Sequence, residues 1–153
     1  MKRKAHIEVT RGVRAWSPPL AELSAWTGAA LGRRAQGAQL ALRVVGAAES
    51  RRLNGKFRGR DAPTNVLSFP AQKLPALRSR RALGDLVICA RVLRCEARAQ
   101  GKSLRAHWAH LVVHGALHLI GYDHERAADA RRMERREIAV LKDLGFANPY
   151  RNA

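Results

Sequence analysis

Residues 114 to 124 read HGALHLIGYDH, three histidines with a glycine between the second and the third. On a helix, His114 and His118 lie on one face, one turn apart, because they are four residues apart. Gly121 can adopt the positive φ that ends a helix, and a chain that folds back there brings His124 to the same place. Three imidazoles leave a fourth tetrahedral position open, which is typical of a catalytic zinc site. The stretch therefore predicts a metal site at the end of a helix.

Two further histidines, His107 and His110, precede this stretch on the same predicted helix. The four step by 3, 4 and 4 residues, so spacing alone does not select a pair. At about 1.5 Å per residue the stripe is ~16 Å long, and one ion cannot touch all four. We predict that His114, His118 and His124 are the ligands, because only they lie next to the glycine turn. His107 and His110 are predicted to be packed or solvent-facing, with a position behind the ligands or facing substrate as the alternative.

The spacing H-x3-H-x2-G-x2-H is also the zinc motif of metzincin peptidases. In that motif the residue after the first histidine is the glutamate that serves as general base. Gly115 occupies this position here, so a peptidase would lack its base and that class is disfavoured. Asp123 is a candidate for orienting a ligand imidazole, because metal-bound histidine donates its other N–H to a carboxylate or carbonyl. Capping of the following helix is its alternative role.

The charge of the chain points to a polyanionic partner. Lys+Arg number 29 against 12 Asp+Glu, which gives a formal net charge of +17. Such a field attracts nucleic acid. A preference for arginine codons explains why only 6 of the basic residues are lysine, but it does not explain the shortage of acids. No apolar run approaches the roughly 20 residues that span a bilayer, and the basic N-terminus lacks an apolar signal-peptide core. We expect a cytoplasmic protein with no membrane partner.

The remaining pattern predicts one α+β domain over residues 1–153. Strands are predicted at 6–10, 39–45, 64–70 and 84–89, and helices at 20–31, 47–56, 91–100, 103–121 and 125–145. Ser17 and Ser103 are candidate caps for the first and the fourth helix, and residues 71–83 are predicted to be a mobile loop. We expect a small mixed four-stranded sheet packed with about five helices, with the zinc site at the end of a long central helix.

Three motifs in order carry a family resemblance. They are HGALHLIGYDH at 114–124, RGRDAPTNVLSFP at 58–70 and LGDLVIC at 83–89. Together they resemble the bacterial YbeY family of endoribonucleases and rRNA maturation factors. The resemblance runs from Leu53 to Gly145 and is weakest in the first fifty residues and in the 71–83 loop.

The resemblance implies one zinc ion held by His114, His118 and His124. It implies a single-strand-specific endoribonuclease acting in 16S rRNA 3′-end maturation and ribosome quality control, with contacts to the small ribosomal subunit and the GTPase Era. Arg58 matches the family arginine implicated in activity and RNA handling. A non-catalytic ribosome-assembly factor with a structural zinc is the alternative.

The chemistry of such a site suggests a mechanism. Three neutral imidazoles leave zinc its full charge, so that it lowers the pKa of a bound water toward about 7 and polarises the scissile phosphate. Arg58 would pair with that phosphate as a planar fork and stabilise the transition state. Either the zinc-bound water or the substrate's 2′-hydroxyl is the nucleophile. Four polar residues either shape the floor of the cleft or make strand-end hydrogen bonds: Thr64, Asn65, Ser68 and Asp85.

Overall fold

A four-stranded sheet and five α-helices make up the part of the chain that the computed structural model describes, residues 5–71 and 82–151. The strands are β1 His6–Arg11, β2 Gln39–Val45, β3 Val66–Pro70 and β4 Ala82–Cys89. The helices are α1 Leu20–Leu31, α2 Ala47–Arg58, α3 Ala90–Gln100, α4 Leu104–Leu119 and α5 Ala127–Asp143, and a 3₁₀ turn at Gly32–Arg34 follows α1. The predicted mobile loop falls mostly on residues 72–81, outside the described residues.

The sheet is mixed, with strand order β1-β2-β4-β3. The pairs β1–β2 and β2–β4 are parallel, and β3 pairs with β4 antiparallel at one edge. Parallel neighbours need a crossover connection, which α1 supplies between β1 and β2. The central strands are the most deeply buried, because helices cover the sheet: Leu42, Val44, Leu86 and Ile88 have no exposed surface. The predicted α+β class, with a mixed four-stranded sheet and five helices, is confirmed.

Helix α4 lies at the centre of the helical layer and packs against α1, α3, α5 and β3. It begins at the cap Ser103, whose Oγ accepts a hydrogen bond from the Ala106 N–H at 3.1 Å, as predicted. Apolar residues cover most of its circumference, which is the pattern of a buried helix. They include Trp108, Ala109, Leu111, Val112, Val113, Ala116, Leu117 and Leu119. The histidine stripe is therefore the polar face of an otherwise buried helix.

Gly115 allows α4 to lie directly on the sheet. A Cβ at this position would stand 2.9 Å from Leu86 Cδ2 and 3.3 Å from Val66 Cγ2. The Ser68 hydroxyl donates a hydrogen bond to the Gly115 carbonyl at 3.3 Å, which fixes the same contact. A glutamate placed here would project into the sheet rather than toward a metal, so the contact reinforces the argument against a peptidase.

The predicted helix cap at Ser17 is wrong. Helix α1 begins after Pro19, and no side chain caps it. Ser17 Oγ instead accepts a hydrogen bond from Arg11 Nε at 2.9 Å. Pro18 and Pro19 each disfavour the helical region in the residue before them, so the helix starts later than a cap at Ser17 requires.

Within the described ranges, no helix is both long and apolar enough to cross a bilayer.

Candidate metal centre

Three imidazole nitrogens converge at the C-terminal end of α4. His118 Nε2 lies 3.2 Å from His114 Nε2 and 3.1 Å from His124 Nδ1. Zn–N bonds of about 2.0–2.1 Å at tetrahedral angles separate two ligand nitrogens by about 3.3 Å. The spacing therefore fits one zinc-sized ion, and the structure brings together the three histidines that the sequence selects.

A glycine turn returns the third histidine to the helix. Gly121 has a φ of 101° and donates its N–H to the His118 carbonyl at 3.1 Å. The Tyr122 N–H donates to the Leu117 carbonyl at 3.1 Å, which closes the last helical turn. The two bonds fix the direction in which the chain leaves α4, and His124 lies three residues beyond the glycine. The geometry follows from glycine's tolerance of positive φ.

The protonation state of His118 favours metal binding. Burial, together with the neighbouring imidazoles of His114 and His124, lowers the pKa of His118 to about 4. The ring is therefore neutral at neutral pH and keeps the nitrogen lone pair that a metal ligand needs.

Glu137 of α5 forms a hydrogen bond with His114, the first histidine of the cluster, on the side of the ring away from His118. Its side chain has no exposed surface, and one carboxylate oxygen accepts a hydrogen bond from His114 Nδ1. The other oxygen accepts a hydrogen bond from the Tyr150 hydroxyl, and His110 Nε2 lies 3.7 Å from it. Burial alone would raise the pKa of Glu137, but its contacts with His110, His114 and Tyr150 outweigh burial and lower it to about 2.

An ionised carboxylate at this point sets the tautomer of His114. With the proton on Nδ1, the Nε2 atom is an acceptor that faces His118. Carboxylate–histidine pairs of this kind orient metal-bound imidazoles and raise their basicity. Burial of its side chain raises the pKa of Tyr150, and the hydrogen bond with the Glu137 carboxylate raises it further.

Asp123 fills neither of its predicted roles. Its Oδ1 accepts a hydrogen bond from the His124 backbone N–H at 2.7 Å. Helix α5 has Arg126 at its N-cap position and no side-chain cap. Among the described residues, the Asp123 carboxylate makes no hydrogen bond to a ligand ring or to the start of α5, so Glu137 is the residue that orients an imidazole.

The sequence contained a signal for Glu137. It stands four residues after Met133 and four before Leu141, so a helical pattern places it on the same face as these two apolar residues, which are buried. A carboxylate at a core position is costly unless it is paired and hydrogen-bonded. Its presence in the apolar pattern therefore indicates a buried partner.

The two remaining histidines of α4, His107 and His110, differ in their partners. His107 is only 3% exposed, and its Nε2 donates to Glu96 Oε1 at 2.9 Å, so it is packed, as predicted. His110 lies between the two glutamates, with Nε2 3.3 Å from the Tyr150 hydroxyl. Burial lowers the pKa of His110. It lies beside the group that orients His114, which is the alternative position predicted for it.

The remaining predicted residues lie on α2, in the loop before β3 and on β4. Arg58 is the exposed last residue of α2, and no ion pair or hydrogen bond in the described part of the chain joins it to the histidines. Asn65 donates to Glu96 at 3.3 Å. Thr64 exchanges backbone hydrogen bonds with the Ser50 hydroxyl. Asp85 is half-buried on β4, opposite Phe69 of β3.

A cavity of about 590 Å³ opens beside the cluster on the α3 side. Its lining combines imidazole, amide, carboxylate and ammonium groups from Asn65, Glu96, Lys102, His107, His110, His114 and Tyr150. Such a polar recess next to a metal site is large enough for part of a nucleotide substrate.

Fold and site together describe an α+β domain with a candidate three-histidine metal centre. Comparison with known proteins gives the family. The chain matches the family described as Endoribonuclease YbeY over residues 20–145. It is 57% identical over 141 residues to the Endoribonuclease YbeY of Alkalilimnicola ehrlichii, an alignment that covers 90% of this chain and 85% of the relative. The chain belongs to the YbeY family, which confirms the resemblance.

The fold is also similar to a solved structure. The solution structure of TM1509 from Thermotoga maritima aligns with a TM-score of 0.59 and 24% sequence identity, covering 95% of this chain and 99% of that chain. At this identity the similarity concerns the fold alone, and it agrees with the sheet and helices described above.

Proposed function

We propose that the protein is a zinc-dependent endoribonuclease that cleaves single-stranded RNA and acts in 16S rRNA 3′-end maturation and ribosome quality control. Membership of the YbeY family supplies the class, an endoribonuclease. The metal, the preference for single strands and the rRNA substrate are the proposed part. The convergence of three imidazole nitrogens at 3.1–3.2 Å carries the proposal.

The donor set favours zinc. Three nitrogen donors suit zinc, whereas magnesium and calcium take oxygen ligands. When bound, zinc supplies a Lewis acid and a water of lowered pKa. The chain's own contribution is to keep His118 neutral, through its lowered pKa, and to hold the His114 proton on Nδ1 through Glu137.

A non-catalytic assembly factor with a structural zinc is the second candidate. Structural sites normally take four ligands from the chain. In the described ranges, the group that contains His114, His118 and His124 holds no fourth histidine, cysteine or carboxylate. A position left for water or substrate favours the enzyme.

Arg58 is proposed to pair with the scissile phosphate. Arg51, about two turns earlier on the same helix, already forms an ion pair with Asp61, with Nε 2.6 Å from Oδ1. Arg58 is exposed at the end of α2 and forms no ion pair within the described residues, so its guanidinium is available to an incoming anion. A planar fork binds a phosphate through two parallel hydrogen bonds.

The net charge of +17 supports RNA as the partner. We include the small ribosomal subunit and the GTPase Era among the proposed partners, and the cytoplasm as the place of action. Co-sedimentation with purified small subunits and a binding assay with purified Era test the two contacts separately. Absence of binding in either assay removes that partner without touching the nuclease.

Metal removal tests the enzyme against the assembly factor. Zinc-loaded protein is incubated with a 16S rRNA 3′ precursor and with a duplex of the same sequence. We expect cleavage of the single strand only, loss of cleavage with a chelator, and recovery when zinc is added back. A folded, zinc-loaded protein that leaves the precursor intact would favour the structural zinc.

Charge reversal at Arg58 tests the phosphate role. Arg58→Glu is expected to lower cleavage of single-stranded RNA by about tenfold or more, because a charge-assisted phosphate contact becomes a repulsion. Arg52→Glu is the matched control, since Arg52 is exposed on the same helix and the net charge changes equally. Equal kinetic effects of the two variants would leave Arg58 with no special role.

A further inference from the structure

A second cavity, of about 610 Å³, lies beside the turn that carries the chain from α4 toward His124. Its walls come from the end of α1, the 3₁₀ turn, the segment Ile120–Asp123 and the first half of α5. His124 directly follows that segment. We call this space the arginine cavity, because four arginines line it: Arg33, Arg34, Arg132 and Arg136.

The four arginines come from two separate elements. Arg33 and Arg34 belong to the 3₁₀ turn, whereas Arg132 and Arg136 are four residues apart on one face of α5. The cavity also contains Asp123 and Asp129, so its lining carries a net charge of 4 − 2 = +2. Within the described residues, none of these arginines lies within 4.0 Å of an acidic side chain. The positive charge is therefore not neutralised locally.

Two of the guanidinium groups are held in place without losing their charge. Arg34 Nη1 donates to the Ile120 carbonyl at 3.2 Å. The Arg132 guanidinium carbon lies 5.2 Å from the centre of the Tyr122 ring, a cation–π contact. Both contacts are made to the segment that leads to His124. The cavity and the metal centre consequently share one short piece of backbone.

We infer that the arginine cavity is a phosphodiester-binding site that holds the backbone of the RNA strand beside the bond being cleaved. Guanidinium groups match phosphate oxygens through parallel hydrogen bonds. The volume exceeds that of one phosphate and lies in the range of nucleotide-sized pockets. A strand that crosses the metal centre next to His124 meets these arginines, which fixes its register as phosphate contacts do. The inference rests on the proposed function, since it gives the substrate of the same centre a second contact.

Helix α5 offers a matched control. Arg131 and Arg135 are also exposed and four residues apart on α5, but they do not line the cavity. Arg132→Glu/Arg136→Glu and Arg131→Glu/Arg135→Glu change the net charge of the protein equally. Any difference between the two double variants therefore reports position rather than overall charge.

The experiment measures KM and kcat of the zinc-loaded proteins on an unstructured RNA of about 20 nucleotides. We expect Arg132→Glu/Arg136→Glu to raise KM by about tenfold or more with kcat nearly unchanged, and to reduce the salt dependence of binding by about one to two phosphate contacts. The control pair should raise KM by less than about threefold, because distant exposed charges are screened.

Two further measurements keep the inference open to refutation. Arg33→Glu should raise KM in the same direction from a different element, so a local defect in α5 cannot explain both results. Zinc content and thermal unfolding of every variant show whether the centre and the fold are intact. Equal KM for the two α5 double variants, or a fall in kcat alone, would overturn the inference.

A binding measurement distinguishes failure of this inference from failure of the proposed nuclease function. If the wild-type protein cleaves no RNA, the same variants are compared by anisotropy of the labelled strand, which tests the cavity without catalysis. Equal affinities then refute the cavity as a strand-binding site. Inorganic phosphate at matched ionic strength is the competitor, and competition as strong as that of the unlabelled strand would assign the cavity to free phosphate instead.

Discussion

Two glutamate–histidine pairs lie along α4, and a comparison of the two shows why only one of the histidines is a candidate metal ligand. Glu96 binds Nε2 of His107, and the Nδ1 atom of this ring is buried with no partner in the described structure. Glu137 binds Nδ1 of His114, and the Nε2 atom faces His118. The residue types are the same. The two pairs differ in which ring nitrogen binds the carboxylate. Nε2 does so in His107, whereas Nδ1 does so in His114, whose Nε2 faces a second histidine.

The largest expected contrast is in metal content. His114→Ala should lose zinc and with it cleavage of single-stranded RNA, by roughly 10³-fold or more, because a bound zinc would act as the Lewis acid at the scissile phosphate. His107→Gln should keep about one zinc per chain, since an amide still donates to Glu96 and His107 lies outside the triad. Elemental analysis and a cleavage assay measure both. Full zinc in His114→Ala would contradict the ligand assignment.

The pH dependence of stability should separate the two carboxylates next. The pKa of Glu137 falls from an ordinary 4.5 to about 2, so the unfolded chain takes up this proton first as the pH is lowered. The stabilisation is present above pH 4.5 and is lost toward pH 2; at about 1.4 kcal/mol per pH unit it is on the order of 3 kcal/mol. Urea unfolding of the metal-free protein measures it.

The matched variants in that series are Glu137→Gln and Glu96→Gln. The pKa of Glu96 is also lowered, chiefly by its hydrogen bond with His107, but its side chain is 31% exposed and solvent screens the interaction. Glu137→Gln should remove most of the acid-dependent loss between pH 4.5 and 2, and Glu96→Gln much less. If the two variants flatten the curve equally, burial does not distinguish the pairs.

Zinc affinity should show the smallest contrast. Glu137→Gln is expected to weaken zinc binding by about 10–100-fold, the usual effect of losing a carboxylate behind a ligand imidazole. Glu96→Gln should change it by less than about twofold, because Glu96 contacts a histidine outside the triad. Competition with a chromophoric chelator gives both dissociation constants. Equal values for the two variants would show that the Glu137 contact does not tune the centre.

Local rules predicted much of this molecule. The cap at Ser103, the turn at Gly121 and the spacing of the histidines each depend on residues close together in the chain. The sequence alone therefore predicted both ends of α4 and the convergence of the three rings. The same rules failed at Ser17, where the preference for a cap competed with two prolines that delay the helix.

The residue behind His114 lay beyond those rules. Asp123 was the nearest carboxylate in the sequence, but the His124 N–H engages it. Glu137 reaches the ring because α5 packs against α4, and its partner Tyr150 comes from the segment after α5. Contacts of this kind depend on how helices pack, which spacing within one segment does not specify. For the same reason, the sequence did not reveal the four arginines of the arginine cavity, which come from two elements far apart in the chain.

The link between Tyr150 and Glu137 also has a consequence for synthesis. A ribosome makes the chain from the N-terminus, so His114, His118 and His124 emerge before Glu137, and Tyr150 emerges last of these. The rings can meet a metal early, but the carboxylate that orients His114 acquires its second hydrogen-bond donor only after residue 150 is added. The hydrogen bonds behind His114 are therefore completed only after α5 and the segment that follows it have been made.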